Sequence, residues 1–331
     1  MTYNFCTLFN KKYLLRGLAM RESLLKHCPN SMIYIFAFDQ LTIDILSNLK
    51  LEKTQIISLN QLEEKYSELI EAKTKRNFKE YFWTTTPFVI DYVLSFYAVD
   101  NITYVDADCY FFNSPAILID SIPQDKVVSL SPHNFSQEYQ HFEIDSGKYC
   151  VEFLTFKNCL DAKKVLNWWK ESCANWCHDR VEDGKFGDQK YLENFKNISN
   201  NCFDLEHLGQ GIAPWNCSQY DFFNENNKII FSKKKDLSAK IDLIYIHFHN
   251  LKTLDLYSAK QDGYSLDSKL VRIVYLPYLK KLRSLFMQIN IKNESLDYEN
   301  LQSGNKFTFK VKALLFSLNL ASKNKHNQFF Y

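Results

Sequence analysis

The feature that most restricts how this chain can fold is an alternation in its first sixty residues. Short runs of aromatic and β-branched residues take turns with longer amphipathic segments. "YNFCTLF" reads as a strand, "YLLRGLAMRESLLKH" as a helix, "SMIYIFAFD" as a second strand, "TIDILSNL" as a second helix and "TQIISL" as a third strand. Strand, helix, strand, helix, strand in succession implies parallel pairing with helices covering the faces, the opening of a nucleotide-binding α/β half-sheet. With 46% hydrophobic and 16% aromatic residues over 331 positions, the chain can bury a large core.

The pattern continues through a helical stretch from about Ser67 to Tyr97, with a break expected at Pro87 because proline cannot donate within a helix. "NITYVDAD", "KVVSLSP" and "YCVEFLTFKN" read as strands, and "DAKKVLNWWKESCANWC" and "FGDQKYLENF" as helices. "HLGQGIAPWN" reads as a loop and "IDLIYIHFHN" as a last strand ending in histidines. Composition changes near Tyr257, so the expected organisation is an α/β domain over residues 1–257 and a helical, basic segment over 258–331. From Ser268 onward there are 11 Lys and Arg against 3 acidic residues, within a chain of formal net charge +2. That total does not suggest a nucleic-acid partner held by phosphate contacts.

Within "NITYVDADCYFF" two carboxylates interrupt a strand that is otherwise being buried. An unpaired buried carboxylate is costly and two together repel, so Asp106 and Asp108 require water or a cation. As positions i and i+2 of an extended segment they would project to one side and present oxygens to one ion, and oxygen ligands select Mg²⁺ or Mn²⁺ over zinc. Their place at the C-terminal end of a central strand is where open α/β sheets bind ligands. The plain alternative is a solvated strand end. His247 closes the apolar run "LIYI" and is a candidate third ligand, with His249 on the opposite face as its competitor.

"TYVDADCYFF" resembles the metal-binding motif of nucleotide-sugar-dependent glycosyltransferases of the GT-A fold, as found in the glycogenin and bacterial galactosyltransferase-like retaining families. "EYFWTTTP", "GKYCVEFLTFKN", "GKFGDQKYL", "GQGIAPWN" and "IHFHNLK" follow in the order seen in similar bacterial polysaccharide glycosyltransferases. The resemblance spans roughly residues 3–255. It implies a GT-A sheet and Asp106, Asp108 and His247 around Mn²⁺ or Mg²⁺. It implies a nucleoside diphosphate sugar as donor, with uridine favoured over guanosine, and a saccharide or lipid-linked saccharide as acceptor. It places Thr7 and Asn10 near the base, Tyr13 against base or ribose and Arg16 near phosphate. Asn10 stands where the family commonly has Asp, and Asn250 where it has Gly.

By the same resemblance Asp188 faces sugar or acceptor, Gln189 lies near the anomeric carbon, and the loop with Trp215 and Asn216 lies near donor and acceptor. Trp215 would stack on a sugar face and Asn216 bond its hydroxyls, while His133 lines the acceptor side. Against these stand simple N-capping by Asp188 and an ordinary glycine turn in the loop. Glu152 lies in an apolar strand whose alternation would set it beside Cys150 and Leu154, opposite Val151 and Phe153. It is a candidate base, nucleophile or acceptor clamp, or a buried ion-pair member.

The N-terminus lacks a charged region followed by an apolar run, and the nine cysteines have no paired metal spacing, so cytoplasmic, reduced thiols are expected. The stripe in "SKLVRIVYLPYLKKLRSLFMQI" reads as a helix broken at Pro277 that docks on the domain. The following cationic and aromatic run suits peripheral contact with an anionic membrane. Two rival functions fit parts of the pattern: a sugar nucleotidyltransferase, for which a glycine-rich phosphate loop is missing after the first strand, and a non-catalytic glycan-binding or membrane scaffold.

Overall fold

The computed structural model describes residues 2–226, 228–234, 236–289 and 328–330. Its opening follows the expected alternation: β1 (Tyr3–Phe9), α1 (Leu14–His27), β2 (Ser31–Ala37), α2 (Gln40–Asn48) and β3 (Thr54–Ser58). Helices α3 (Leu59–Lys65), α4 (Ser67–Lys75) and α5 (Phe78–Phe96) lead to β4 (Asn101–Val105). Then come β5 (Cys109–Phe111), α6 (Ala116–Asp120), β6 (Val128–Pro132), α7 (Phe142–Ser146), β7 (Tyr149–Lys157), α8 (Leu160–Asn175), α9 (Phe195–Ile198) and β8 (Cys202–Asp204). Seven of these strands form one sheet in the order β3-β2-β1-β4-β7-β6-β8. The first four are parallel and β7 runs antiparallel to both its neighbours, so β4 sits in the middle of a mixed sheet.

Helices cover both faces, which is why the strands read as nearly continuous apolar runs. Along β1 the two-residue period sends Phe5 and Phe9 into one core and Cys6 and Leu8 into the other. α1 lies so close to β1 that a Cβ on Gly17 would stand 2.3 Å from the Phe9 ring. That approach brings the start of α1 to the same sheet edge as the end of β4.

Four local expectations are corrected. α5 runs through Pro87, and the chain breaks earlier, at Asn77, whose side chain accepts the Glu80 N–H while Glu80 accepts the Asn77 N–H. This reciprocal cap, with Phe88, Val89, Ile90 and Val93 buried beneath it, outweighs the ~3 kcal/mol that an internal proline costs. "FGDQKYLENF" forms a 3₁₀ turn at Lys190–Asn194 followed by the single turn of α9, in place of a regular helix. "IDLIYIHFHN" is two strands: after β9 (Tyr220–Glu225) and β10 (Lys228–Lys233), β11 (Asp236–Asp242) completes a meander, and β12 (Tyr245–His247) leaves it to pair with β5. Pro277 does not break its helix either.

That last helix follows β13 (Leu251–Thr253) and β14 (Ser258–Gln261) and consists of α10 (Ser268–Leu270), a π-helical turn at Val271–Tyr275 and α11 (Leu276–Ile289). The wider turn before Pro277 accommodates the lost N–H and the ring. Leu279, Leu282, Leu285 and Phe286 are buried in the same cluster as Phe5, Leu14 and Leu18. Among the described residues, therefore, no separate core begins at the boundary expected near Tyr257. At the far end β15 (Gln328–Phe330) pairs with β14. The rest of the cationic and aromatic run lies outside the described residues. No described helix is long and apolar enough to cross a membrane.

Candidate functional site

β4 ends at Val105 and the chain turns at once, the Cys109 N–H donating to the Asp106 carbonyl at 3.1 Å. A turn, not extended alternation, is what brings Asp106 and Asp108 to one side. β5 then pairs antiparallel with β12, setting His247 opposite Cys109, and the Phe248 N–H donates to the Asp108 carbonyl at 2.9 Å. The ladder delivers the imidazole to the aspartates. His247 Nε2 lies 3.1 Å from Asp108 Oδ1 and 3.7 Å from Asp106 Oδ2, and one ligand atom from each residue falls within 4.8 Å of the others.

Behind the ring, His247 Nδ1 is 2.6 Å from Glu152 Oε2. Three carboxylates thus surround one imidazole, and even a protonated ring leaves surplus negative charge, so a divalent cation is the complement. Carboxylate oxygens with one neutral imidazole suit Mn²⁺ well. The Asp106 side chain keeps 28% exposure against 11% for Asp108 and 5% for His247, so the centre opens on the Asp106 side.

Without an ion the charges sort themselves. Burial, and the Asp108 charge against the pull of His247, raise Asp106 to about 6. Burial also opposes ionisation of Asp108, but His247 and Arg16 overcome it and hold that carboxyl near about 2. Burial disfavours the His247 cation, yet the facing Asp108 lifts its pKa well above the ordinary value. Burial keeps His249 neutral, lowering it to about 4. Tyr104, which sequence pattern assigns only to the core, donates its hydroxyl to Asp106 Oδ1 at 2.8 Å.

The residues expected to hold a nucleotide gather at the C-terminal edge of β1 and the start of α1. Thr7 is fully buried with its Oγ1 unpartnered among the described residues, and the Asn10 side chain accepts the Lys12 N–H at 3.1 Å. Tyr13 is 39% exposed with the Arg16 guanidinium 4.8 Å from its ring centre, and Arg16 Nη2 donates to the Leu251 carbonyl at 2.5 Å. The influence of Arg16 on Asp108 puts its positive charge on the aspartate side.

Asp188 is buried beside Thr86, whose hydroxyl bonds its carboxylate; burial first, and the Asp106 charge second, raise it to about 7. No side chain caps the short helix that follows. Gln189 donates through Nε2 to the Ser146 carbonyl at 2.9 Å, tying it to α7.

The loop residues do something other than expected. Trp215 is 3% exposed, packed by ring contacts with His133, His247 and His249, and its Nε1 donates to the His133 carbonyl at 2.9 Å. It has no free face for a sugar. The Asn216 amide is fully used, donating to the carbonyls of His133 and Gly211 at 2.8 and 2.7 Å and accepting the Ala213 N–H at 2.9 Å. His133 is itself buried and stacked on Phe135, and burial lowers its pKa to about 3. All three residues are buried against one another beside His247. Tyr264, beyond the expected boundary, joins this aromatic wall at 6.3 Å from Trp215 and 6.1 Å from His249. No pattern in the chain marks Tyr264, because its segment reads as an appendage.

Glu152 also escapes the simple alternation. Ser129 pairs with Thr155 but Ser131 with Cys150, so four residues of β7 oppose Leu130 alone. This bulge puts Val151 and Leu154 in one core and Phe153 in the other, and turns Glu152 toward His247. The side chain is fully buried, with Tyr245 Oη donating to Oε1 at 3.1 Å. It lies on the Nδ1 side of the His247 ring, away from the more exposed Asp106.

No family model matches the chain. The uncharacterized protein YfnF of Bacillus subtilis (strain 168) is 28% identical over 267 residues, covering 79% of this chain and 86% of its own length. YfnD of the same organism is 23% identical over 287 residues, covering 85% and 89%. Among solved structures, the galactosyltransferase LgtC, in complex with donor and acceptor sugar analogs, superposes with a TM-score of 0.56 at 10% identity, over 85% of this chain and 95% of that one. The glycosyltransferase GlyE of Streptococcus pneumoniae TIGR4 gives 0.50 at 13% identity, over 89% of this chain and 66% of that one. The fold is that of GT-A glycosyltransferase structures.

Proposed function

We propose that this chain is a metal-dependent glycosyltransferase that moves a sugar from a nucleoside diphosphate donor, a uridine one by preference, to a saccharide or lipid-linked saccharide. The observation that carries the reading is the convergence of Asp106, Asp108 and His247, from distant parts of the sequence, at the C-terminal edge of the middle strand of a GT-A sheet. These three residues would hold Mn²⁺ or Mg²⁺, and a bound ion of that kind stabilises the charge growing on a departing diphosphate.

The chain's own groups serve the rest of the reaction. Arg16 adds positive charge on the same side, and Tyr13 keeps an exposed ring for base or ribose. Asp188, its ionisation balanced near neutrality, is suited to accept a hydrogen bond or proton from a sugar hydroxyl, with Gln189 held beside it. The resemblance to retaining families favours retention at the anomeric carbon. It also favours a role in assembling a bacterial surface polysaccharide such as capsule or lipopolysaccharide. A cytoplasmic site of action suits nine cysteines that are all unpaired.

The test is donor hydrolysis and sugar transfer with a panel of nucleotide sugars, with and without Mn²⁺, in the parent and in Asp108→Ala. Loss of a ligand should lower metal-stimulated turnover by about 100-fold or more. Full metal-stimulated turnover in the variant would refute the reading.

A further inference from the structure

We infer that Glu152 is a positioning residue for the metal centre: its carboxylate takes the Nδ1–H of His247 and so fixes the ring with Nε2 turned to Asp106 and Asp108. The inference rests on the metal-binding reading above and adds to it a residue that reaches the ion only through another side chain.

The geometry supports it at four points. A carboxylate can only accept, so the proton in the 2.6 Å contact belongs to Nδ1, which leaves Nε2 as the ligating nitrogen. That nitrogen faces the two aspartates at 3.1 and 3.7 Å. Glu152 is itself locked. Tyr245 Oη donates to its other oxygen at 3.1 Å, and a Cβ on Gly211, whose φ is +63°, would stand 2.9 Å from that same oxygen. Finally, the backbone on either side is fixed, because the Asp106 N–H donates to the Glu152 carbonyl at 3.1 Å, tying the bulge directly to the turn that bears the aspartates.

Cys150 shares this side of the ring, and its sulfur belongs to a second cluster with Glu152 and His247. A carboxylate behind a ligating imidazole fixes tautomer and ring angle and raises the basicity of the ligating nitrogen; its loss costs about 10- to 100-fold in metal affinity.

The measurement is Mn²⁺ binding to the full chain, read from the electron paramagnetic resonance signal of the free ion, alongside melting in EDTA. Glu152→Gln should weaken Mn²⁺ binding by about 10- to 100-fold. Tyr245→Phe, which removes only the second hydrogen bond, should weaken it by about 2- to 10-fold. A purely structural role would instead lower the melting temperature in EDTA and leave the Mn²⁺ affinity of the folded protein unchanged. Parent-like affinity in Glu152→Gln overturns the inference; should that variant not fold, parent-like affinity in Tyr245→Phe overturns it. If the parent takes up no Mn²⁺, with or without a nucleotide, it is the proposed function that fails.

Discussion

Replacing Asp188 with asparagine should make the metal-free protein more stable at neutral and alkaline pH while removing its activity. In the folded chain the Asp188 carboxyl is raised from 3.8 to about 7, first because it is buried and second because Asp106 is near. The folded state therefore holds this proton more tightly than the unfolded chain. The stability it contributes is fully present below about pH 4, declines as the unfolded chain ionises, and is lost once pH passes the folded value of about 7. At about 1.4 kcal/mol per pKa unit the full loss is about 4 kcal/mol, of which about 2 to 3 kcal/mol falls between pH 5 and pH 8.

An amide of the same shape has no proton to lose and can keep a bond to the Thr86 hydroxyl. In EDTA, urea unfolding of the parent and of Asp188→Asn should give a stability gap, in favour of the variant, that widens by about 2 to 3 kcal/mol from pH 5 to pH 8. Sugar transfer by the variant should fall at least about 100-fold. A gap of the same size at both pH values, or a variant less stable than the parent at pH 8, would refute the claim that this carboxyl is held against its own ionisation.

Two further substitutions probe the frame. Asn216→Ala leaves the Gly211 carbonyl and Ala213 N–H without partners in a buried loop and should cost about 3 kcal/mol or more, read as a lower urea midpoint; an unchanged midpoint would mean that the amide does not hold the loop. Leu282→Ala removes a side chain that is 1% exposed between α11 and the body and should cost about 2 to 5 kcal/mol. A parent-like melting curve would show that this helix is not docked in solution.

The strand and helix order was readable because strands covered on both faces are apolar throughout, and Asp106 and Asp108 stood out against that background. What the sequence could not convey were departures from period. Alternation sets Glu152 beside both Cys150 and Leu154; the pairing of Ser129 with Thr155 and of Ser131 with Cys150 exposes a bulge that keeps it near Cys150 while Leu154 turns into the core with Val151. Its bond to His247 joins two strands far apart in the chain, and no local pattern records it. Trp215 and Asn216 look like ligand residues because they are polar or amphipathic in a glycine loop. Both donate to one main-chain carbonyl, that of His133, which has no signature in sequence. Pro87 and Pro277 misled for a related reason: a helix held by tertiary packing tolerates a proline that an isolated helix would not.

The ribbon of β5 and β12 has a consequence for how such a protein can diversify. His247 and the carbonyl of Asp108 hang from neighbouring rungs of one antiparallel ladder, so the spacing of imidazole and aspartate is inherited from main-chain geometry. Exposed loops between Asn113 and Ile244, apart from β7, Asp188, Gln189 and the stretch 209–216 that brace the site, can be lengthened without moving the rungs. A lineage could therefore rebuild much of the surface that chooses an acceptor while its chemistry stayed where it was.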